Sequence, residues 1–347
     1  MPPLTLPPFV WSDDCLRHEP VAEVWVGVRT TATEVPARAV AIRKALAAAG
    51  AREVAASAHD DSALLEVHDP ALVEFLRTAW DEWSAASLPS DRVVPYVFAR
   101  SGLTGGREPA PPAAVSARPG LFAYDTMTLI GPGTWEAARA AVDAALTAVD
   151  LVAGGEPLAY ACCRPPGHHV TRSLYGGSCY LNNTAIAAAA LLSRTGGPVA
   201  VVDVDAHHGN GTQELFLGRS DLLTASVHVD PGAGWFPHFL GFATENDDAN
   251  RNLPLAPGTG DEGWLAAVRK AAEFASSARA LVVALGVDAA AGDPESPLEV
   301  TAAGYREAGR ILGGLGLPTV VVQEGGYDLE TIGPLVVEFL TGVETRR

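Results

Sequence analysis

The sequence predicts an α/β protein with a mainly parallel central sheet and helices on both faces, and three observations predict it. Continuous apolar, β-rich runs alternate with segments of helical length, each run leads into polar or glycine-rich sequence at its carboxyl end, and no linker separates two cores. With 347 residues, 48% of them hydrophobic, the chain can bury one large core, and residues 1–347 are expected to form a single domain.

The first helix is predicted from "PARAVAIRKALAAAG", entered at Pro36 and stopped at Gly50. "PALVEFLRTAWDEW" and "PGTWEAARAAVDAALTAVDLVAGG" repeat that pattern. Between them, "YVFARSGLTGGREPAPPAAVSARPG", Tyr96 to Gly120, is rich in Pro and Gly and reads as a long loop insertion at about 96–120. The buried strands follow in order as "LAYACCR", "VAVVDVD", "LLTASVH", "ALVVALGVD" and "PTVVVQEGGY". Cys162 and Cys163 are expected to be core residues of the first of these. Ligands of open α/β sheets bind at the carboxyl ends of the strands, so function is sought there.

Composition narrows the classes. A net charge of −17 with scattered Lys and Arg argues against a nucleic-acid partner and favours cationic ligands. No basic segment leads into an apolar one near the start, and no apolar run approaches the roughly 18 residues of a membrane span. The expectation is a soluble, cytoplasmic protein with no membrane partner. The 4 cysteines lack paired spacing, which fits reduced thiols.

The strand ends carry the chemistry. In "VVDVDAHHGNG", Asp205 and His207 share a face at i, i+2 spacing in extended chain, and Asp288 ends "VVALGVD". A carboxylate, imidazole, carboxylate set with an open position suits catalytic Zn2+, with Fe2+, Mn2+ or Co2+ as alternative occupants. A lone D-x-H also serves as a plain strand-end hydrogen-bond cluster. "RPPGHHV" adds the tandem pair His168 and His169 on a loop, and "QEGGYD" places Tyr327 behind two glycines at a third strand end.

"RPPGHH", "GGSCYLNN", "DVDAHHGNGTQ", "GVDAAAGDP" and "QEGGY", taken in order, resemble the zinc-dependent histone deacetylase and acetylpolyamine amidohydrolase superfamily. The likeness runs from "VPARA" to the last helix, and "SVHVDPGAGWFPHFLGFATE" with "NLPLAPGTGDEGW" is most similar to the bacterial acetylpolyamine branch. It implies an arginase-deacetylase α/β fold and a deacetylase cleaving short acyl groups from small cationic amines, most simply acetylpolyamines. A lysine deacetylase or a broad small-molecule amidase is the alternative on the same site.

The resemblance also implies roles. Asp205, His207 and Asp288 hold the metal, His169 is the general base and then acid, and His168 with Asp203 is the electrostatic member of the pair. His169 faces Asn210, where some relatives carry aspartate, and Tyr327 donates to the developing oxyanion. Backbone carbonyls around Asp203, Asp205 and His207, with Ser226 and Val227, match a structural K+ site. Arg38 matches the arginine beside an internal acetate channel, a helix-surface salt bridge being the bland alternative. Asp125 sits where relatives anchor substrate, although loop aspartates commonly form turns. Gly177, Ser178 and Phe236 line the acyl tunnel.

Two departures stand out. Ser178 replaces the aromatic that many relatives place in "GFC" or "GYC", which implies a wider or more polar tunnel. The loop before "GPGTW" carries Met127 and Ser116 where the polyamine branch carries entrance acids, while Glu295 in "GDPES" supplies an acid at the rim. The resemblance to the bacterial acetylpolyamine branch, together with the length of the 96–120 insertion, implies a homodimer. An arginase-like binuclear site would need an aspartate where this chain has Gly209. A non-catalytic acyl-amine binding protein would be expected to have lost one of the residues named above, and none is lost.

Overall fold

The structure, a computed structural model, describes residues 6–344. Its strands are β1 (Phe9–Trp11), β2 (Ala22–Trp25), β3 (Val28–Thr31), β4 (Glu53–Ala55), β5 (Leu158–Ala161), β6 (Val199–Asp203), β7 (Leu222–Val229), β8 (Asn250–Leu255), β9 (Ala280–Leu285) and β10 (Thr319–Gln323). The helices are α1 (Pro36–Ala48), α2 (Ser62–Val67), α3 (Pro70–Ala85), α4 (Ser101–Thr104), α5 (Pro119–Phe122), α6 (Thr134–Ala153), α7 (Asn183–Thr195), α8 (Asn210–Phe216), α9 (Asp261–Ala275), α10 (Ala302–Gly313) and α11 (Ile332–Glu344).

Eight strands form one sheet in the order β4-β1-β5-β10-β9-β6-β7-β8, every neighbouring pair parallel. Helices α1, α9, α10 and α11 cover one face, and α2, α3, α6 and α7 cover the other. That double cover explains why the strands read as unbroken apolar runs. Along β5, Leu158 and Tyr160 pack toward α1 and α11, while Ala159 and Ala161 pack toward α6 and α7, the period of two expected of extended chain. Cys162 and Cys163 continue this alternation, buried on opposite faces, but the strand ends at Ala161, so they lie just past it. All four cysteines are free and buried.

Five strands go beyond those expected from the sequence. The short strands β1 and β4 extend the sheet past β5, and β8 forms its other edge. Outside the sheet, β2 and β3 pair as an antiparallel hairpin, with Trp25, Val26 and Val28 exposed near its tip. The 96–120 segment is not structureless. It carries α4, a 3-10 turn at Val115–Ala117 and the start of α5, and Ala99 N donates to Gly120 O across its base at 2.9 Å. Among the described residues, no helix is long and apolar enough to cross a membrane.

The strand-end residues need one correction. Since β6 stops at Asp203 and β9 at Leu285, Asp205 and His207 sit on a bend and Asp288 in a turn beyond the strands rather than in extended chain. Backbone N–H groups released from the sheet ladder there are free to hold carboxylates, and they do so below.

Candidate functional site

Four adjacent strands, β5, β10, β9 and β6, deliver their following loops to one place. Asp205, His207 and Asp288 each offer a ligand atom, and these atoms lie within 4.8 Å of one another. His207 Nδ1 stands 3.2 Å from Asp205 Oδ1 and 3.3 Å from Asp288 Oδ2. Main-chain donors fix the carboxylates: Ala206 N to Asp288 Oδ1 at 2.8 Å, His207 N to Asp205 Oδ1 at 2.8 Å, and Gly325 N to Asp205 Oδ2 at 2.8 Å. Gly325 has to be glycine, because a Cβ there would lie 2.1 Å from Asp288 Oδ2 and 2.6 Å from Asp205 Oδ2.

The electrostatics call for a cation. Despite the cost of burial, the two carboxylates push His207 well above its ordinary pKa. Burial and the Asp205 charge push Asp288 up to about 7, while His168 and His207 hold Asp205 well below the carboxylate range. Two buried carboxylates converging on one imidazole nitrogen fit a divalent metal, whose charge would replace the proton that His207 otherwise keeps.

The tandem histidines are separated by their partners. His168 Nδ1 meets Asp203 Oδ2 at 2.9 Å, and although burial opposes its charging, Asp205, Asp203 and Glu324 push it up to about 10. His169 Nδ1 lies 2.7 Å from Asn210 Oδ1. An amide oxygen only accepts, so the proton sits on Nδ1 and Nε2 presents a lone pair. Burial and the neighbouring His168 and His207 charges hold His169 well below its ordinary pKa. One imidazole is therefore charged and the other neutral, the divergence expected of an acid and base pair.

Glu324, which the sequence reading did not single out, holds this loop. Its carboxylate accepts from Gly167 N at 2.6 Å, His168 N at 3.1 Å and Thr184 Oγ1 at 2.6 Å. Only its place in "QEGGY" signalled it.

Tyr327 lines the same cavity as His169 and His207. Burial raises its pKa well above 10, which keeps its hydroxyl a donor. Asp293 Oδ2 accepts from Tyr327 N at 2.8 Å, and the Arg38 guanidinium lies 4.6 Å from the tyrosine ring centroid. Arg38 is buried, so the helix-surface alternative falls. It donates to Gly326 O at 2.5 Å, Glu324 O at 2.7 Å and Glu34 Oε1 at 2.8 Å.

The cavity has a volume of about 620 Å³, and Gly177, Ser178, Phe236 and Glu295 are among the residues that line it. The Phe236 ring stands edge-on to His169, centroids 4.8 Å apart. Two residues depart from the expectation. Asp125 is not among the lining residues: its carboxylate accepts from Met127 N, Thr128 N, Thr128 Oγ1 and Gly177 N, so it forms the turn behind the wall instead of facing substrate. Glu23, on β2, does line the cavity, and burial together with the Glu295 charge pushes it up to about 7. No motif marks Glu23, since its hairpin has little core-facing pattern.

At the proposed K+ position, Asp203 and Ser226 are register partners on β6 and β7, and the Ser226 hydroxyl lies 2.8 Å from His228 Nδ1.

A histone deacetylase domain profile matches residues 32–343. The chain is 38% identical to the acetylpolyamine amidohydrolase of Mycoplana ramosa over 342 residues, covering 96% of this chain and 98% of that protein. It is 39% identical over 345 residues to acetylpolyamine amidohydrolase 1 of Pseudomonas aeruginosa, with the same coverage of both. A crystal structure of acetylpolyamine aminohydrolase from Burkholderia pseudomallei superposes with a TM-score of 0.92 at 35% identity, over 98% of this chain and 99% of that one.

Proposed function

The chain belongs to the histone deacetylase domain family and is a hydrolase of carbon–nitrogen amide bonds, and from that premise we propose that it removes acetyl groups from acetylpolyamines at the site just described. The observation that carries the proposal is the geometry around His207, whose Nδ1 lies between Asp205 Oδ1 and Asp288 Oδ2 beside the lone pair of His169 and the ring of Tyr327. We read the chain as one catalytic domain.

In this reading Asp205, His207 and Asp288 hold one Zn2+. When bound, the ion acidifies a water and polarises the amide carbonyl. His169 Nε2 takes the proton from the attacking water and returns it to the leaving amine. His168, charged and fixed by Asp203, supplies a positive field and keeps the second imidazole neutral. The Tyr327 hydroxyl donates to the oxygen that gains charge in the transition state. Arg38 holds the Tyr327 loop, and acetate leaves beside its guanidinium. K+ at Asp203, Asp205, His207, Ser226 and Val227 would brace the metal loop from behind.

The rim favours a cation. Glu23 and Glu295 share the cavity mouth with Trp25 and Trp235, so an ammonium there meets two carboxylates and aromatic faces. Glu23 thus joins Glu295 as the second acid of the cavity, while Asp125 is not among its lining residues. The exposed Tyr96 and Leu103 of the 96–120 segment are the surface through which we propose a homodimer.

The test is a panel of acetylputrescine, N8-acetylspermidine, an acetyl-lysine peptide and a neutral aryl amide on Zn2+-loaded protein. The acetylpolyamines are expected to give the highest kcat/KM. A faster acetyl-lysine peptide or neutral amide would overturn the substrate reading.

A further inference from the structure

The cavity wall formed by Met127, Gly177 and Ser178 carries no ring, and its main chain is tied to Asp125 and Thr128. Gly177 N donates to Asp125 Oδ2 at 2.6 Å and Ser178 N to Thr128 Oγ1 at 2.8 Å, while Thr128 Oγ1 donates to the same Asp125 oxygen at 3.1 Å. Asp125 Oδ1 accepts from Met127 N and Thr128 N, both at 2.9 Å. Four main-chain N–H groups of the two segments that form this wall are thus tied down. Ser178 itself has φ +60°, a left-handed conformation that these bonds maintain.

Volume on this wall is set by two side chains. A Cβ on Gly177 would lie 2.4 Å from His169 Cδ2 and 3.0 Å from Phe236 Cε1, so the main chain is already in contact there. Ser178 adds only a hydroxymethyl group, and Met127 an unbranched, adaptable thioether. The Phe236 ring, by contrast, is backed by Tyr124 at 6.2 Å between centroids and by His169. One flank of the cavity is a braced aromatic and the flank next to it is small and soft. A chain of methylenes would leave such a space to water, whereas a flat group would fill it and gain ring contact with Phe236.

We propose that Met127, Gly177 and Ser178 form a side pocket for a flat group carried next to the acylated nitrogen, so that the enzyme takes N-acylated arylalkylamines as well as slim linear amines. The proposal rests on the amidohydrolase reading above and adds a second substrate class to it. The amide enters as before, the ring lies between Phe236 and Ser178, and an ammonium beyond the ring reaches Glu23 and Glu295.

The experiment compares acetylputrescine with mono-N-acetyl-p-xylylenediamine, each bearing one amide and one distal ammonium, on Zn2+-loaded enzyme. Wild type is expected to cleave the ring substrate within about tenfold of the linear one, and Ser178→Phe and Met127→Trp each to lower the ring-to-linear ratio of kcat/KM by about tenfold or more, the scale on which a shaped apolar pocket discriminates. Either variant suffices if the other fails to fold. Cleavage of acetylputrescine with a ring substrate more than tenfold worse overturns the side pocket and leaves the polyamine reading standing. A ratio that neither variant lowers overturns it equally. Cleavage of the ring substrate alone overturns the polyamine reading and supports the pocket. Calorimetric Kd values for p-xylylenediamine and putrescine decide the matter without turnover: tighter binding of the ring diamine, lost in the variants, supports the pocket, and weaker binding overturns it.

Discussion

His169 and Asn210 are joined by a 2.7 Å hydrogen bond that fixes the imidazole proton on Nδ1, and the partner is an amide where the adjacent His168 has the Asp203 carboxylate. A neutral partner orients the ring without charging it. Asn210→Asp is expected to raise the His169 pKa by about 1–2 units, since a carboxylate in contact favours the imidazolium. The acid limb of the kcat/KM profile should move to higher pH by that amount, because the base works only when unprotonated. An unmoved limb would assign it to another group.

Tyr327→Phe removes a donor that serves the transition state more than the bound substrate. The expected result is a fall in kcat of about 10²–10³-fold with little change in KM, and with Zn2+ content by mass spectrometry equal to wild type. Loss of Zn2+ along with activity would show a structural role instead.

Glu23 is the rim carboxyl that its surroundings push toward neutrality. Burial and the facing Glu295, with Glu34 and Asp125 adding their charges, lift it from the usual 4.5 to about 7. Below that pH it is mostly neutral, and above it the rim gains a charge. Selectivity for a cationic over a neutral acyl-amine of equal length should therefore grow by about three- to tenfold between roughly pH 6 and 8, and Glu23→Gln should flatten the trend. Stability follows the same sign. The folded state binds this proton more tightly, so the stabilisation is full below the ordinary value and is lost as pH rises through about 7. The Tm of Glu23→Gln relative to wild type should rise over that window.

Metal binding should compete with the His207 proton. Since Asp205 and Asp288 raise this imidazole well above its ordinary pKa, the apparent Zn2+ affinity should climb with pH and binding should release a proton, measurable by calorimetry in buffers of different ionisation enthalpy. Saturating Zn2+ at about 100 times Kd should stabilise the fold by roughly 2.7 kcal/mol. Asp288→Asn should abolish most of that gain in Tm.

Deleting the core of the 96–120 segment should convert a dimer to a monomer in light scattering. An unchanged mass would make the exposed Tyr96 and Leu103 an ordinary surface.

The parts of this architecture legible in the sequence are those written as long apolar runs ending in polar residues. Strands β5, β6, β7, β9 and β10 announce themselves that way, and the loops that follow four of them carry Asp205, His207, Asp288, His169 and Tyr327. What stayed hidden depends on contacts between distant segments. Strands β1 and β4 have three residues each, too few for a period of two to register. The β2–β3 hairpin is exposed along all of β3, so it shows no core-facing pattern, and Glu23 was lost with it. Asp125 is legible only in part: its bonds to Met127 N, Thr128 N and Thr128 Oγ1 are the local turn that a loop aspartate offers, while its bond to Gly177 N, 52 residues away, appears only in the fold. Glu324 and Gly325 lie within a visible motif, yet their tasks, holding the tandem histidine loop and letting Asp205 and Asp288 approach, appear only in three dimensions.

The reach of Arg38 bears on how the protein is made. Its bonds to Glu324 O and Gly326 O span 286 and 288 positions of the chain, and β1, near the amino end, sits within the sheet beside β5. Contacts of such separation form late, because the intervening loop must close before they bring any gain. On a ribosome the first segment must wait, with the apolar faces of β1 and α1 unpartnered, until β10 and the tyrosine loop have emerged. The nascent chain is thus inactive and most exposed to aggregation or chaperone capture until β10 and the tyrosine loop have been synthesised, when one arginine joins two distant segments around the reaction centre.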